Sequence, residues 1–174
     1  MSASASPAEH LKTLNLQEVT TMGIYALAFL LASVLTFTPL LASAEMTVVG
    51  VALAKDIQDR QPISEFEPTA YCEMDTDAQG TMPIVDSSVA NRIFFWTKVQ
   101  SGETGMLRHT WYLNTGTGWQ QATEVDLNIV MSPGYRTWSS KQIDPSMHTG
   151  EWMIKVTLAD DTGQVLCTTK FRVT

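Results

Sequence analysis

The stretch "EWMIKVTLADDTGQVLCTTKFRV", Glu151 to Val173, decides the fold. Trp152, Ile154, Val156 and Leu158 alternate with Glu151, Lys155 and Thr157. That period of two is what a strand with one buried face requires. "ADDTGQ" then turns the chain, and Val165, Cys167, Phe171 and Val173 resume an inward-facing set. A hairpin cannot bury its apolar face alone, so further strands must exist.

They are found upstream. Glu124–Met131 sets Val125, Leu127, Ile129 and Met131 inward against Glu124, Asp126 and Asn128. Met106–Leu113 places Leu107, His109, Trp111 and Leu113 on one face, and "NTGTG" at 114–118 connects the two strands as a hairpin. Arg92–Val99 places Ile93, Phe95 and Val99 on one face, and Thr47–Ala54 is a first strand. Asp56–Ala70, with Pro62 and Pro68, reads as a linker or edge segment, and Glu73–Ser88 as an acidic loop. About seven strands separated by turn signals predict an all-β chain, an immunoglobulin-like antiparallel β-sandwich over residues 45–174. The Cys–Trp–Cys arrangement of antibody domains is missing, so "immunoglobulin-like" describes architecture only.

Before the sandwich, Val19 to Ala44 holds no charged residue, and Ile24–Leu41 is apolar apart from small hydroxyl residues. About 20 such residues cross the ~30 Å hydrocarbon core of a bilayer. Ala42-Ser43-Ala44 also fits an A-x-A cleavage pattern. Residues 22–44 are therefore a single transmembrane helix or a signal peptide cleaved after Ala44. The long span, and a preceding tail that carries Glu9, Lys12 and Glu18 rather than a basic run, favour the anchor. Residues 1–21 form a tail, expected to be cytoplasmic, in which Ser6-Pro7-Ala8-Glu9 starts a short helix. Residues 45–174 are expected outside the cytoplasm.

Eleven Lys and Arg against 18 Asp and Glu give a formal charge of −7, with no basic run. That excludes a phosphate-tracking nucleic-acid surface. Cys72 and Cys167 are too far apart for a redox or zinc motif; in an oxidising compartment their even number slightly favours a disulfide, and the inward-facing Cys167 leaves two buried free thiols as the alternative.

Candidate sites are few. In "RTWSSK", Arg136, Trp138 and Lys141 form a candidate ligand surface, with Trp138 to stack and the cations to hold an anion. The competing expectation makes this stretch a strand with a corner: Tyr135, Thr137 and Ser139 share one face, and Trp138 packs under Trp152. Ser139 with Lys141 is a weak nucleophile–base pair, because no nucleophile elbow frames it. Phe94 and Trp96 point away from Ile93 and Phe95; they form an aromatic interaction patch unless the 55–90 segment covers them. His109, on an apolar strand face, reads as a hydrogen-bonded core residue. Asp75, Asp77 and Asp86 resemble a calcium loop weakly, because Gln79 and Asp86 depart from its ligand pattern and Pro83 interrupts it. No metal or other cofactor is expected.

Several of these segments resemble a bacterial family, domain of unknown function 2914. They are "DRQP" with Arg60 and Pro62, "FFWTKV" at 94–99, "RHTW" with His109 and Trp111, "RTWSSK" at 136–141 with Pro145, "GEW" at 150–152, and a final "DTGQVL…FRV". The resemblance covers about residues 48–174. Gln61 stands where an acid is expected, Trp96 where Phe is, and Cys167 has no counterpart. The family implies an extracytoplasmic or membrane-tethered β-domain, often appended to other modules, and does not imply a reaction. The sequence thus leads to a non-catalytic, single-span protein of the bacterial inner membrane with a periplasmic sandwich, an accessory or scaffold subunit of a larger membrane complex. The alternative is a secreted or tethered module that binds envelope glycan or an anionic polymer.

Overall fold

The computed structural model describes residues 45–73 and 81–174. The tail at 1–21, the span at 22–44 and the calcium-loop positions Asp75 and Asp77 lie outside them. Among the described residues no helix is long and apolar enough to cross a membrane.

Nine strands follow one another among these residues: β1 (Thr47–Gln58), β2 (Gln61–Glu65), β3 (Ile84–Val85), β4 (Arg92–Ser101), β5 (Gly105–Asn114), β6 (Trp119–Ile129), β7 (Ser132–Gln142), β8 (Gly150–Leu158) and β9 (Val165–Val173). They form two sheets, β2-β1-β4-β7 (sheet A) and β3-β9-β8-β5-β6 (sheet B). Every pairing is antiparallel except β3 with β9. The chain is all-β, a sandwich of two sheets.

Alternation explains the core. Phe95 and Ile93 of sheet A, and Trp111, Trp152, Ile154 and Phe171 of sheet B, are fully buried. Trp152 and Phe171 stack at 6.1 Å between centroids, and Trp111 meets both edge-on. Each such side chain contributes about 1.5–3 kcal/mol by leaving water. Cys72 is bonded to Cys167 with Cα atoms 5.2 Å apart, which ties the segment after β2 to β9.

Several local expectations need correction. The first strand runs on to Gln58, and the segment read as a linker contains β2. Gln58 pairs with Gln61 around a two-residue turn, Asp59-Arg60, with φ of 50° and 61°. Two positive φ values make a type I′ hairpin, which sequence normally announces with Asn-Gly. "Asp-Arg" carries no such signal. The acidic loop contains the two-residue β3. Met131, expected inward, lies past the end of β6 and is 65% exposed. The residue packed against Trp152 is Trp111 and not Trp138, because Trp138 points out of the opposite sheet.

Candidate functional site

The two surfaces that the sequence offers separately form one. β4 and β7 pair so that Phe94 faces Ser140, Trp96 faces Trp138 and Lys98 faces Arg136. Ile93, Phe95, Thr97 and Val99 point into the core, so Phe94, Trp96 and Lys98 line the outer face of sheet A. By the same alternation Arg136 and Trp138 join them, while Thr137 and Ser139 turn inward. Lys141 falls on the inward side of β7, at the rim of a cavity of about 260 Å³ with Gln121, Met147 and His148. The structure therefore brings Arg136, Trp138, Phe94 and Trp96 together and leaves Lys141 out.

Small residues make room on this face. Gly50, Ala52 and Ala54 of β1 stand beside Lys98, Trp96 and Phe94. At Gly134 a Cβ would meet the Lys98 Cε at 2.6 Å, so glycine is what lets the lysine stem lie across β7.

The β1–β2 hairpin caps the face. Trp96 Nε1 donates to the Arg60 carbonyl at 2.9 Å, which leaves Trp96 only 8% exposed. The Arg60 guanidinium lies 4.7 Å from the Tyr135 ring centroid and donates from Nη2 to the Arg136 carbonyl at 2.6 Å. The tip thus crosses over β4 to reach β7. Gln61, its amide oxygen turned as the donors require, accepts from Nε, Nη1 and Nη2 of Arg136 at 3.0–3.1 Å. Ile143 N donates to the Asn91 carbonyl, so odd-numbered residues of β7 direct backbone groups to β4. Even-numbered Arg136 directs its carbonyl to the open edge, and Arg60 hooks over that edge. Trp138 remains partly exposed beside this arrangement, and Phe94 likewise.

Charge is distributed unevenly between the sheets. Arg108 bonds Asp126 at 2.6 and 2.9 Å and lies 3.2 Å from Glu124. Lys170 pairs with Glu73, and Arg172 with Glu151. Those three cations belong to sheet B, and the Arg108 guanidinium holds the Asp126 carboxyl below its ordinary value. Arg60, Lys98 and Arg136, by contrast, form no ion pair with any described carboxylate.

Beneath the face, a buried polar chain joins the sheets. Trp111 Nε1 donates to Ser139 Oγ at 3.0 Å, and Ser139 Oγ is 2.9 Å from His109 Nδ1. His109 Nε2 is 3.4 Å from Thr97 Oγ1, which donates to the Thr137 carbonyl at 3.5 Å. One proton arrangement uses every donor. Ser139 gives its hydroxyl proton to Nδ1, and the neutral ring donates from Nε2 to Thr97. His109 is fully buried, and desolvation pushes its pKa down to about 3. It is a structural histidine that holds sheet B on sheet A. Ser139 is 4% exposed and committed to Trp111 and His109, so it is not presented as a nucleophile.

Asp86 accepts from both N and Oγ of Ser88, at 2.8 and 2.6 Å, and these bonds lower its pKa. It closes a turn. No group of three or more His, Cys, Asp or Glu able to hold a metal ion occurs among the described residues.

Residues 105–173, from β5 to β9, match the family model described as "Protein of unknown function (DUF2914)". The chain resembles this family, and the matched part includes "RHTW", "RTWSSK" and "GEW". The segments "DRQP" and "FFWTKV", which complete the outer face of sheet A, lie before it. No curated protein matches the chain. The solved structure of Beta-D-glucoside glucohydrolase from Trichoderma reesei aligns at 11% identity and a TM-score of 0.35, covering 75% of this chain. The chain spans 19% of that protein's length.

Proposed function

We propose that residues 45–174 are a non-catalytic docking module that binds its partner through the outer face of sheet A. The observation that carries this reading is the convergence of the partly exposed Phe94, Lys98, Arg136 and Trp138 on one surface, while Trp96 between them is covered by the hairpin tip and packs rather than presents. Trp and Arg rank high in the energetics of protein contacts, and this face brings Trp138 and Arg136 together, with Arg60 added by the hairpin tip. The protein then acts as an accessory or scaffold subunit of a membrane complex, anchored by residues 22–44 in the bacterial inner membrane with the sandwich in the periplasm. The Cys72–Cys167 bond supports an oxidising compartment for this domain.

The finer fold class in this proposal is immunoglobulin-like. Its support is strand order: lettering β1 and β4–β9 as A to G gives A-B-E against D-C-F-G. The fourth strand joins the C-F-G sheet rather than E, a departure from the constant-type arrangement.

A second reading, a module for envelope glycan or anionic polymer, is favoured by the partly exposed Trp138 beside Lys98 and Arg136. The test of the first reading is purification of the full chain from its native membrane in mild detergent, with Trp138→Ala and Arg136→Gln in parallel. Wild type should co-migrate with a defined complex and both folded variants should be released from it. Variants that stay bound would remove the outer face of sheet A from consideration.

A further inference from the structure

We propose that Arg60, Lys98 and Arg136 form a carboxylate-binding site for an acidic segment of a protein partner. The inference rests on the docking face proposed above and gives that face a ligand chemistry.

Like charges directly opposite in a sheet are unfavourable, yet Lys98 and Arg136 are cross-strand partners on one face. The hairpin tip adds a third cation. Arg60 is delivered there by a turn whose two non-glycine residues both have positive φ, a conformation that persists only when surrounding contacts enforce it. Trp96 donates to the Arg60 carbonyl, the Arg60 guanidinium lies over Tyr135 and donates to the Arg136 carbonyl, and Gln61 accepts from the Arg136 side chain. Gln61 is neutral, so it orients the Arg136 guanidinium without cancelling its charge. Three cations brought together, none of them ion-paired with a described carboxylate, in a chain of charge −7, are complementary to an acidic ligand.

The shape favours a protein segment over a small acid. Cavities of about 750, 470 and 260 Å³ open elsewhere, between β1 and β9, near Glu103–Met106, and at Lys141. Of the outer face of sheet A, only the Thr47–Gly50 end of β1 lines one of them, away from Arg136 and Trp138, and small ligands prefer concave sites. Planar guanidiniums match carboxylates in two-point contact, and the adjoining, partly exposed Trp138 supplies apolar area beside them.

The test is fluorescence anisotropy of the detergent-solubilised full chain with three labelled probes: a Glu-Gly repeat decapeptide, its Lys-Gly counterpart and a polygalacturonate oligomer of similar charge. The acidic peptide should bind, weaken as salt rises, and lose roughly tenfold in affinity with Arg136→Gln or with Lys98→Gln. Lys98→Gln keeps the test open should Arg136→Gln fail to fold, and Lys155→Gln on sheet B should bind as wild type. Equal binding of both peptides, tighter binding of the oligomer, or unchanged binding by the folded charge variants would overturn the proposal. The two proposals fail distinguishably. A partner complex that is lost with Trp138→Ala but kept with Lys98→Gln retains the docking face and rejects the carboxylate site. A complex kept by every sheet A variant rejects both.

Discussion

Ser139 Oγ lies 2.9 Å from His109 Nδ1, and both residues are closed off inside the sandwich. A serine–histidine contact of this length is often catalytic; here the serine also receives the Trp111 indole proton, and no substrate can approach it. Ser139→Ala should cost about 2–4 kcal/mol in chemical denaturation, because it leaves Trp111 Nε1 and His109 Nδ1 without partners. A fluorophosphonate should fail to label the wild-type serine. Labelling at Ser139, or a variant as stable as wild type, would defeat this account.

His109 makes stability depend on pH. Its folded pKa, about 3, lies below the ordinary value of 6.5. Between these values the unfolded chain binds a proton that the folded chain refuses, so stability is full above about pH 6.5 and falls as pH drops. The loss by pH 5 should be about 2 kcal/mol. Carboxylates with lowered pKa, such as Asp126 and Glu151, act only at lower pH. Denaturant titrations at pH 7.5 and 5.5 should show the slope in wild type and lose it in His109→Gln.

The tryptophans should separate by sheet face. Trp111→Ala removes a fully buried ring and should cost ~3–5 kcal/mol. Trp138→Ala trims a partly exposed ring on the outer face of sheet A and should cost about 1 kcal/mol. Equal losses in melting experiments would place Trp138 back among the packing residues.

The Cys72–Cys167 bond closes a loop across a sequence separation of 95. Loop entropy then gives ~4–5 kcal/mol of stabilisation. Denatured, unreduced protein should show no free thiol, and reduction should lower the denaturant midpoint; two titrating thiols would disprove the bond.

Strands were legible wherever one face is apolar and the other polar. Glu151–Leu158 and Val165–Val173 differ from β8 and β9 by one residue or none. The hairpin from β1 to β2 was not, because its turn is held by Arg60 and Gln61 reaching Trp96, Tyr135 and Arg136, contacts far away in sequence. Local turn chemistry carries no trace of them. For the same reason Phe94–Trp96 and Arg136–Trp138 were recognisable as separate patches but not as one. Their union is a matter of register between β4 and β7, and alternation within a strand does not report which strand lies alongside. Lys141 follows Trp138 closely in sequence, yet three residues along a strand is an odd step, so it lands on the other face.

The Arg60 hook has a consequence for the company this sandwich can keep. β7 is an outer strand 11 residues long, the sort of border that recruits stray extended chains. A newcomer aligning there needs the outward carbonyls free, and the one at Arg136 is already taken by a positively charged side chain from the hairpin. The molecule therefore guards its own border against templated growth with a residue that also belongs to the proposed carboxylate site. Losing Arg60 would open the way to fibre-like self-stacking at β7.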